Sequence, residues 1–544
     1  MSEIQPSAES AGAVLPAAVV RRVREDFGRF AGKSPFWGAL LERSTCPAGL
    51  PDGDAVSTGL RLLTGGPELA LRLAPTVFPT PIGAEDAQNE LFAYAKNLGE
   101  MERRALDVLL LRALDPAAGL LTHPLERLFT AAEVEALRGV PRGAGAVLPP
   151  GLDTAPGRGA SYRGYICVIA KLTRLCNLRC VYCHDWRSGP NQSMPFAVQV
   201  ELFRKLLDRE DHGAVDVVWH GGEPTLLGKK GFLRLLTLQQ LFRRPGQRIQ
   251  NILQTNATTL DDAWCALFAR FGFKIGVSLD GPLGHHDEAR PFAGGRPSSG
   301  AVRKGLAALR GQGLSHTTLM VVSRDTLALG AAAVVRFLQE EKLGSVALLP
   351  VRPEVRDGQV DGPYLPREEY VRFLLDVERE RRENPVPWLA VRELDTALQA
   401  LAGRTAGHCE LLGGCVGSFF SVEPDGTVRH CDKYGDDPGF TLGDVTAQDF
   451  DEIRAAARTR SLAQADAEAE AACHAGCRFF DVCKGWCPHE RHVAAAADPA
   501  FDPSCCGLAP LFEGLQDAAA ARSRQLNALR EAAPAALEVP WNQA

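Results

Sequence analysis

No apolar run in this 544-residue chain is long enough to span a bilayer. The N-terminal stretch MSEIQPSAESAGAVLPAAVVRRV has no charged region followed by a long apolar core, so nothing in it argues for export. There is also no basic block and no stripe of basic and aromatic residues. With a formal net charge of -6, the chain offers no electrostatic case for binding nucleic acid. These absences predict a cytoplasmic protein with neither membrane nor nucleic acid among its partners. An apolar fraction of 45% and an aromatic content of 7% suit a globular fold. The length exceeds one ordinary core, so several domains are expected.

Cysteine is what the sequence has. Of fifteen, three stand together as Cys176, Cys180 and Cys183 in KLTRLCNLRCVYCHDW. Eight more lie downstream, at Cys409, Cys415, Cys431, Cys473, Cys477, Cys483, Cys487 and Cys505. Dense thiolates with short gaps are what polynuclear iron clusters need. A cubane on the first group would keep one iron without a protein thiolate, open to a ligand and therefore to chemistry. Eight thiolates would close two further clusters, suited to electron transfer or structure. Disulfides fit poorly, because the count is odd and no export signal is visible. Zinc is the alternative at Cys473, Cys477, Cys483 and Cys487, which would pass for a four-thiolate site. His184 could be offered as a fourth ligand in the first group. Cys46, Cys167 and Cys265 sit among apolar residues and read as core thiols. Cys506 is a possible substitute for Cys505.

The Gly/Pro-rich segment 138–164 reads as a linker. Before it, residues 1–137 look helical, with Leu91, Ala95, Leu98, Met101, Ala105 and Leu109 recurring at helical intervals. That region carries no chemical motif and reads as a packing or docking domain. After the linker come six apolar runs of strand length: YICVIAKLT, VDVVWHGGE, NILQTNA, KIGVSLDG, HTTLMVVS and SVALLPVR. Amphipathic helical stretches alternate with them. The pattern predicts an α/β fold over 165–353, a parallel sheet with helices outside, doubly wound or curled into a partial barrel. Reactive groups in such a sheet gather at the C-terminal strand ends, where Cys176, Gly221, Asn256 and Asp280 all fall. A loop (RDGQVDGPY) and bridging helices fill 354–404, the cysteine-rich region runs over 405–510, and an Ala-rich helix from Leu508 to Glu531 follows.

These residues resemble the radical S-adenosylmethionine (SAM) superfamily, in the branch with a SPASM domain. The resemblance covers about 165–510. The CxxxCx(aromatic)C loop stands as Cys176, Cys180, Tyr182 and Cys183, and the GGEP motif as Gly221, Gly222, Glu223 and Pro224. The resemblance implies a partial (β/α)6 barrel, three [4Fe-4S] clusters and SAM. Bound SAM would yield a 5′-deoxyadenosyl radical while the protein orients and shields it. It further implies that Glu223 holds the SAM amino group, that Ser278 and Asp280 lie at the ribose, and that Asn256 lines the cavity. Arg303 would pair with the SAM carboxylate. Downstream, Cys409, Cys415, Cys431 and Cys487 would hold a nearer auxiliary cluster, and Cys473, Cys477, Cys483 and Cys505 a farther one. Asp432 matches an aspartate thought to take a proton from substrate; its plain alternative is a surface carboxylate in a polar loop.

Enzymes of this kind usually modify peptides or proteins. The first expectation is maturation of a ribosomally made precursor peptide by a carbon–carbon, ether or thioether cross-link. The second is anaerobic sulfatase maturation, oxidising Cys or Ser to formylglycine. The third is a non-catalytic iron-sulfur sensor or electron carrier. Flavodoxin or ferredoxin is the reductant that the resemblance implies.

Overall fold

A computed structural model describes residues 128–140 and 164–516, apart from 186–191, 210, 243–246, 386–387, 405–407 and 503, and before them 17–32 with scattered positions from 37 to 109. The chain divides into two compact units. One comprises Met1–Thr154, Pro195–Val215 and Leu227–Arg248; the other comprises Ala155–Met194, Asp216–Leu226 and Ile249–Ala544.

In the first unit the described N-terminal residues are largely helical, as expected. The helix Ala17–Ala31 buries Val20, Val23 and Phe27 along one face, at helical spacing. Phe27 and Tyr94 each set their rings 5.4 Å from Trp37. The helix Ala131–Gly139 opens with a reciprocal capping box between Thr130 and Glu133. Arg234, from the helix Gly228–Phe242, donates to Glu133 and lies 4.7 Å over the Phe129 ring. Of the expected stripe, Ala105 and Leu109 are helical and buried, while Leu91, Ala95 and Met101 lie outside the described residues. So do 141–163, most of the Gly/Pro linker.

The second unit is built on one sheet. Its six leading strands coincide with the six apolar runs: β1 (Tyr165–Thr173), β2 (Ala214–Gly221), β3 (Arg248–Thr255), β4 (Lys274–Ser278), β5 (Thr317–Val322) and β6 (Ser345–Pro350). They neighbour one another in sequence order, and β3 to β6 pair in parallel. Every residue of β1 is buried, as a strand covered on both faces requires. The fold is the α/β partial barrel expected.

Past β6 the structure shows two features that the sequence reading lacked. RDGQVDGPY is not a plain loop. It contains a hairpin of β7 (Glu354–Arg356) and β8 (Gln359–Asp361), whose two-residue turn puts Asp357 at φ 50° and Gly358 at φ 75°. Asp-Gly is the pair that suits two successive left-handed residues. The cysteine-rich region is also no detached module. After β9 (Ala390–Val391), which pairs with β6, the strand β10 (Phe419–Val422) lies parallel to β1. The sheet continues through β11 (Thr427–His430) and β12 (Thr441–Asp444), giving the order β12-β11-β10-β1-β2-β3-β4-β5-β6-β9. Residues 509–516 are helical, with Phe512 and Leu515 buried; the rest of the expected terminal helix lies outside the described residues.

Candidate active site

The Cys176–Cys183 loop leaves the C-terminal end of β1, and the Gly-Gly-Glu-Pro turn leaves β2 beside it. Gly222 N donates to Thr173 O at 2.7 Å, and Glu223 N donates to Leu175 O at 2.8 Å. Contact this close forbids side chains. A Cβ on Gly221, already at φ +110°, would lie 2.3 Å from Thr173 O, and one on Gly222 would lie 2.2 Å from Leu175 O. With these two N–H groups committed, the turn presents carbonyl oxygens, which suit an amine. Burial pushes the Cys176 thiol up to about 12 and that of Cys180 upward as well. A nitrogen donor approaches each, a neutral amide at one and a guanidinium at the other. Asn256 Nδ2 lies 4.0 Å from Cys176 Sγ and Arg290 4.0 Å or less, at 3.9 Å, from Cys180 Sγ. Cys183 N donates to Cys180 O, closing the turn.

Glu223 is fully buried, and its first job is to clamp two strand ends. Oε1 accepts from the Thr255 hydroxyl at 2.8 Å and from Thr225, while Oε2 accepts Asn256 N at 2.7 Å. Burial raises its pKa. Asn256 in turn donates to Asn177 Oδ1 at 2.9 Å, fixing the cysteine loop to the end of β3. Ser278, closing β4, accepts from Gln254 Nε2 at 3.0 Å. Asp280 is buried and accepts Val321 N at 2.9 Å, Arg290 Nε at 2.9 Å and the Tyr182 hydroxyl. Burial would lift its pKa, but Arg290 holds it below the usual range. Arg303 does not reach this group. It is 54% exposed and pairs with Glu341 at 3.4 Å, because Val302, Leu306 and Leu309 take the inward face of the helix Ser299–Gly311. The arginine at the loop is Arg290, and nothing in the sequence marked it.

The downstream cysteines form two neighbourhoods. Cys415 has its pKa raised by burial and then by Cys487, Cys431 and Cys409, so these four thiols gather. Lys433 Nζ stands 3.4 Å from Cys487 Sγ, and His430 Nε2 3.8 Å from Cys415 Sγ. Cys431 has the left-handed φ of 62°. Cys473 is perturbed by burial and by Cys506, Cys505 and Cys477, whereas Cys483 faces Cys506. Cys487 therefore belongs with the first set, which removes the basis for a zinc site of Cys473, Cys477, Cys483 and Cys487. Among the described residues, no three Cys, His, Asp or Glu side chains converge as a single metal ion requires. Cys167 and Cys265 are buried core thiols, as expected, while Cys46 lies outside the described residues.

Asp432 follows Cys431 and is part-buried, its Oδ1 3.4 Å from that sulfur. Burial would raise its pKa, but His220, Arg352 and Lys171 bring it down to about 2. Lys171 is itself 1% exposed, bridging Asp185 Oδ1 at 2.8 Å and Glu423 Oε1 at 3.1 Å. Arg174 joins Glu423 at 2.8 Å and Asp436 at 2.9 Å. A lysine inside the apolar run YICVIAKLT was the available signal, since a buried ammonium needs paired carboxylates.

Two families match the sequence: the radical SAM superfamily over residues 171–327 and an iron-sulfur cluster-binding domain, SPASM, over 415–478. A serine-type anaerobic sulfatase-maturating enzyme of Klebsiella aerogenes is 30% identical over 364 residues, 65% of this chain and 86% of its own. The chain belongs to the radical SAM superfamily. A cysteine-type anaerobic sulfatase-maturating enzyme of Clostridium perfringens is 25% identical over 349 residues, 62% of this chain and 92% of that one. A solved structure of native anSMEcpe with bound AdoMet matches with a TM-score of 0.58 at 23% identity, covering 66% of this chain and 99% of that chain.

This radical SAM protein is thus an enzyme whose cofactors are [4Fe-4S] clusters and SAM, and its residues fit them. Thiols that burial would keep protonated ionise when bound to iron. The Ser278 hydroxyl, at the end of β4, offers a polar contact for SAM. No helix among the described residues is long and apolar enough to cross a membrane.

Proposed function

We propose that this enzyme oxidises the side chain of a Cys or Ser in a peptide or protein to the aldehyde formylglycine. The observation that carries the reading is the Asp432 carboxylate, held ionised beside Cys431 by the positive surroundings of Lys171, His220 and Arg352. Relatives named as sulfatase-maturating enzymes support this second expectation over the first. A solved relative carries bound AdoMet together with a Cp18Cys peptide, which supports a peptide substrate. When bound, SAM and the clusters supply hydrogen-atom abstraction and an electron acceptor. Asp432 takes the proton that the substrate must also lose, so Ser gives up two hydrogens and becomes the aldehyde directly, whereas Cys gives up two hydrogens to form a thioaldehyde that water hydrolyses to the aldehyde with release of hydrogen sulfide. His220 Nδ1 is buried without a hydrogen-bond partner and can hold the peptide, while Arg352 is engaged in ion pairs, its Nε 3.8 Å from Glu490 Oε1. We assign the SAM carboxylate to Arg290 and the cytoplasm as the compartment, with flavodoxin or ferredoxin as reductant.

Cross-linking of a precursor peptide stays as the second reading, because the Klebsiella enzyme aligns with only 65% of this chain and leaves residues for another task. The discriminating test incubates anaerobic enzyme, SAM and reductant with peptides bearing CxPxR or SxPxR, then traps aldehydes with a hydrazide. Trapped product supports formylglycine. Two hydrogens lost without any trappable aldehyde would refute it and favour a cross-link. Asp432→Asn should lower aldehyde formation by about 100-fold or more, while SAM-dependent 5′-deoxyadenosine formation continues.

A further inference from the structure

Two adjacent cysteines close the cysteine-rich region, and spacing alone selects the first. The structure separates them. Cys506 is 1% exposed, beside the fully buried Cys483 and the 1% exposed Cys473, whereas Cys505 is exposed to solvent. Cys506 Sγ lies 3.6 Å from Cys483 Sγ. Each thiol of the pair accepts one backbone N–H at 3.4 Å, from Gly507 to Cys505 and from Leu508 to Cys506, so that contact does not distinguish them.

Side-chain direction does distinguish them. Cys506 Sγ faces Cys483 Sγ at 3.6 Å, whereas Cys505 is turned to solvent. The chain is fixed in this orientation by Arg367 on the C-terminal side of the pair. The Arg367 guanidinium donates to Cys506 O and lies 4.9 Å over the Trp486 ring. Gly507 turns at φ +69°, where a Cβ would sit 2.6 Å from Arg367 Nε. Rotating Cys505 inward would break the carbonyl contact and drive the chain into Arg367.

We propose that Cys506, rather than Cys505, is the fourth protein ligand of the iron-sulfur cluster shared with Cys473, Cys477 and Cys483. Cys505 is then a solvent-facing thiol next to that cluster. This assignment rests on the cluster and not on the substrate, so its test is independent of the aldehyde assay.

The test is brief iodoacetamide labelling of the anaerobic, fully reconstituted full-length enzyme, followed by fragment-ion mapping across the Cys505–Cys506 bond. Cys505 should be alkylated in the holo-enzyme, and Cys506 only after the iron is chelated. Protection of Cys505 in the holo-enzyme, or labelling of Cys506 as fast as Cys505, would overturn the assignment. Iron and sulfide analysis supplies the second arm. Cys505→Ala should keep about twelve iron atoms per chain and Cys506→Ala about eight. The reverse pattern would overturn it. Should Cys506→Ala fail to fold, the labelling arm on the unaltered enzyme still decides.

Discussion

Replacing Gly222 with alanine tests how closely two strand-end turns must meet to form the SAM site. The new Cβ would stand 2.2 Å from Leu175 O, 2.6 Å from Leu175 C and 2.9 Å from Arg174 C. A relaxed carbon–oxygen contact needs about 3.3 Å, so one turn must retreat by about 1 Å. Leu175 adjoins the cluster ligand Cys176, and the retreat stretches the 2.8 Å bond from Glu223 N to Leu175 O and the 2.7 Å bond from Gly222 N to Thr173 O. Overpacking costs about 1–3 kcal/mol and each lost hydrogen bond about 1 kcal/mol. A total of about 3–5 kcal/mol lowers the population of the intact loop roughly 100- to 5,000-fold. Gly222→Ala should therefore lose about four of about twelve iron atoms and all SAM-dependent 5′-deoxyadenosine formation, while the auxiliary clusters keep their electron paramagnetic resonance signals. Gly228→Ala is the control, since its φ of +72° costs backbone strain but its Cβ would meet nothing within 4 Å. A Gly222→Ala enzyme with full iron and undiminished SAM cleavage would refute the argument.

The two arginines should separate by SAM affinity. Calorimetric titration is expected to give Arg303→Ala a dissociation constant within about twofold of the unaltered enzyme, because an exposed ion pair contributes little; Arg290→Met should weaken binding about tenfold or more, since it also strands the buried Asp280. The Asp185 carboxyl is raised by burial but held far below its usual range by Lys171. A depressed carboxylate gives stability that is complete above the unfolded value of about 3.9 and fades as pH falls toward the folded one. The gap in thermal midpoint between the unaltered enzyme and Asp185→Asn should thus stay constant from about pH 8 to pH 5; a gap that narrows over that range would show that Lys171 does not hold the charge.

The strands were legible because each apolar run carries β-branched residues bounded by turn signals, and all six runs became strands. The Asp357-Gly358 turn was equally legible and went unread, since both flanking segments are short and polar. Pairing of β10 with β1 was not legible: it joins residues about 250 positions apart, and no local pattern sets that register. Spacing alone disclosed the number of cysteines, while their grouping came only with the family resemblance, because Cys487 lies four residues from Cys483 yet turns toward Lys433. Arg303 lies on an exposed helix face and Arg290 beside Cys180 for one reason. Which arginine reaches the cluster loop depends on helix phase and turn geometry, neither of which residue type reports.

The continuous sheet explains why Asp432 can be held in a fixed relation to the SAM loop although the two are far apart in sequence. β1 delivers Cys176 just past its end and β10 runs parallel beside it, followed by β11, which ends at His430, directly before Cys431 and Asp432. Apolar packing between such strands is non-directional and would tolerate sliding. The buried charges would not. Lys171 and Arg174 on and after β1 both engage Glu423 just after β10, and Arg174 also engages Asp436, four residues past Asp432. A register slip would leave at least one of these charges buried and unpaired, at about 3–5 kcal/mol each. Buried ion pairs add little net stability over apolar packing, so their physical value here lies in orientation. Asp432 and the Cys176–Cys183 loop are thereby fastened to one frame; on the proposed reading, the substrate carbon has to be brought between groups whose spacing the protein has already set.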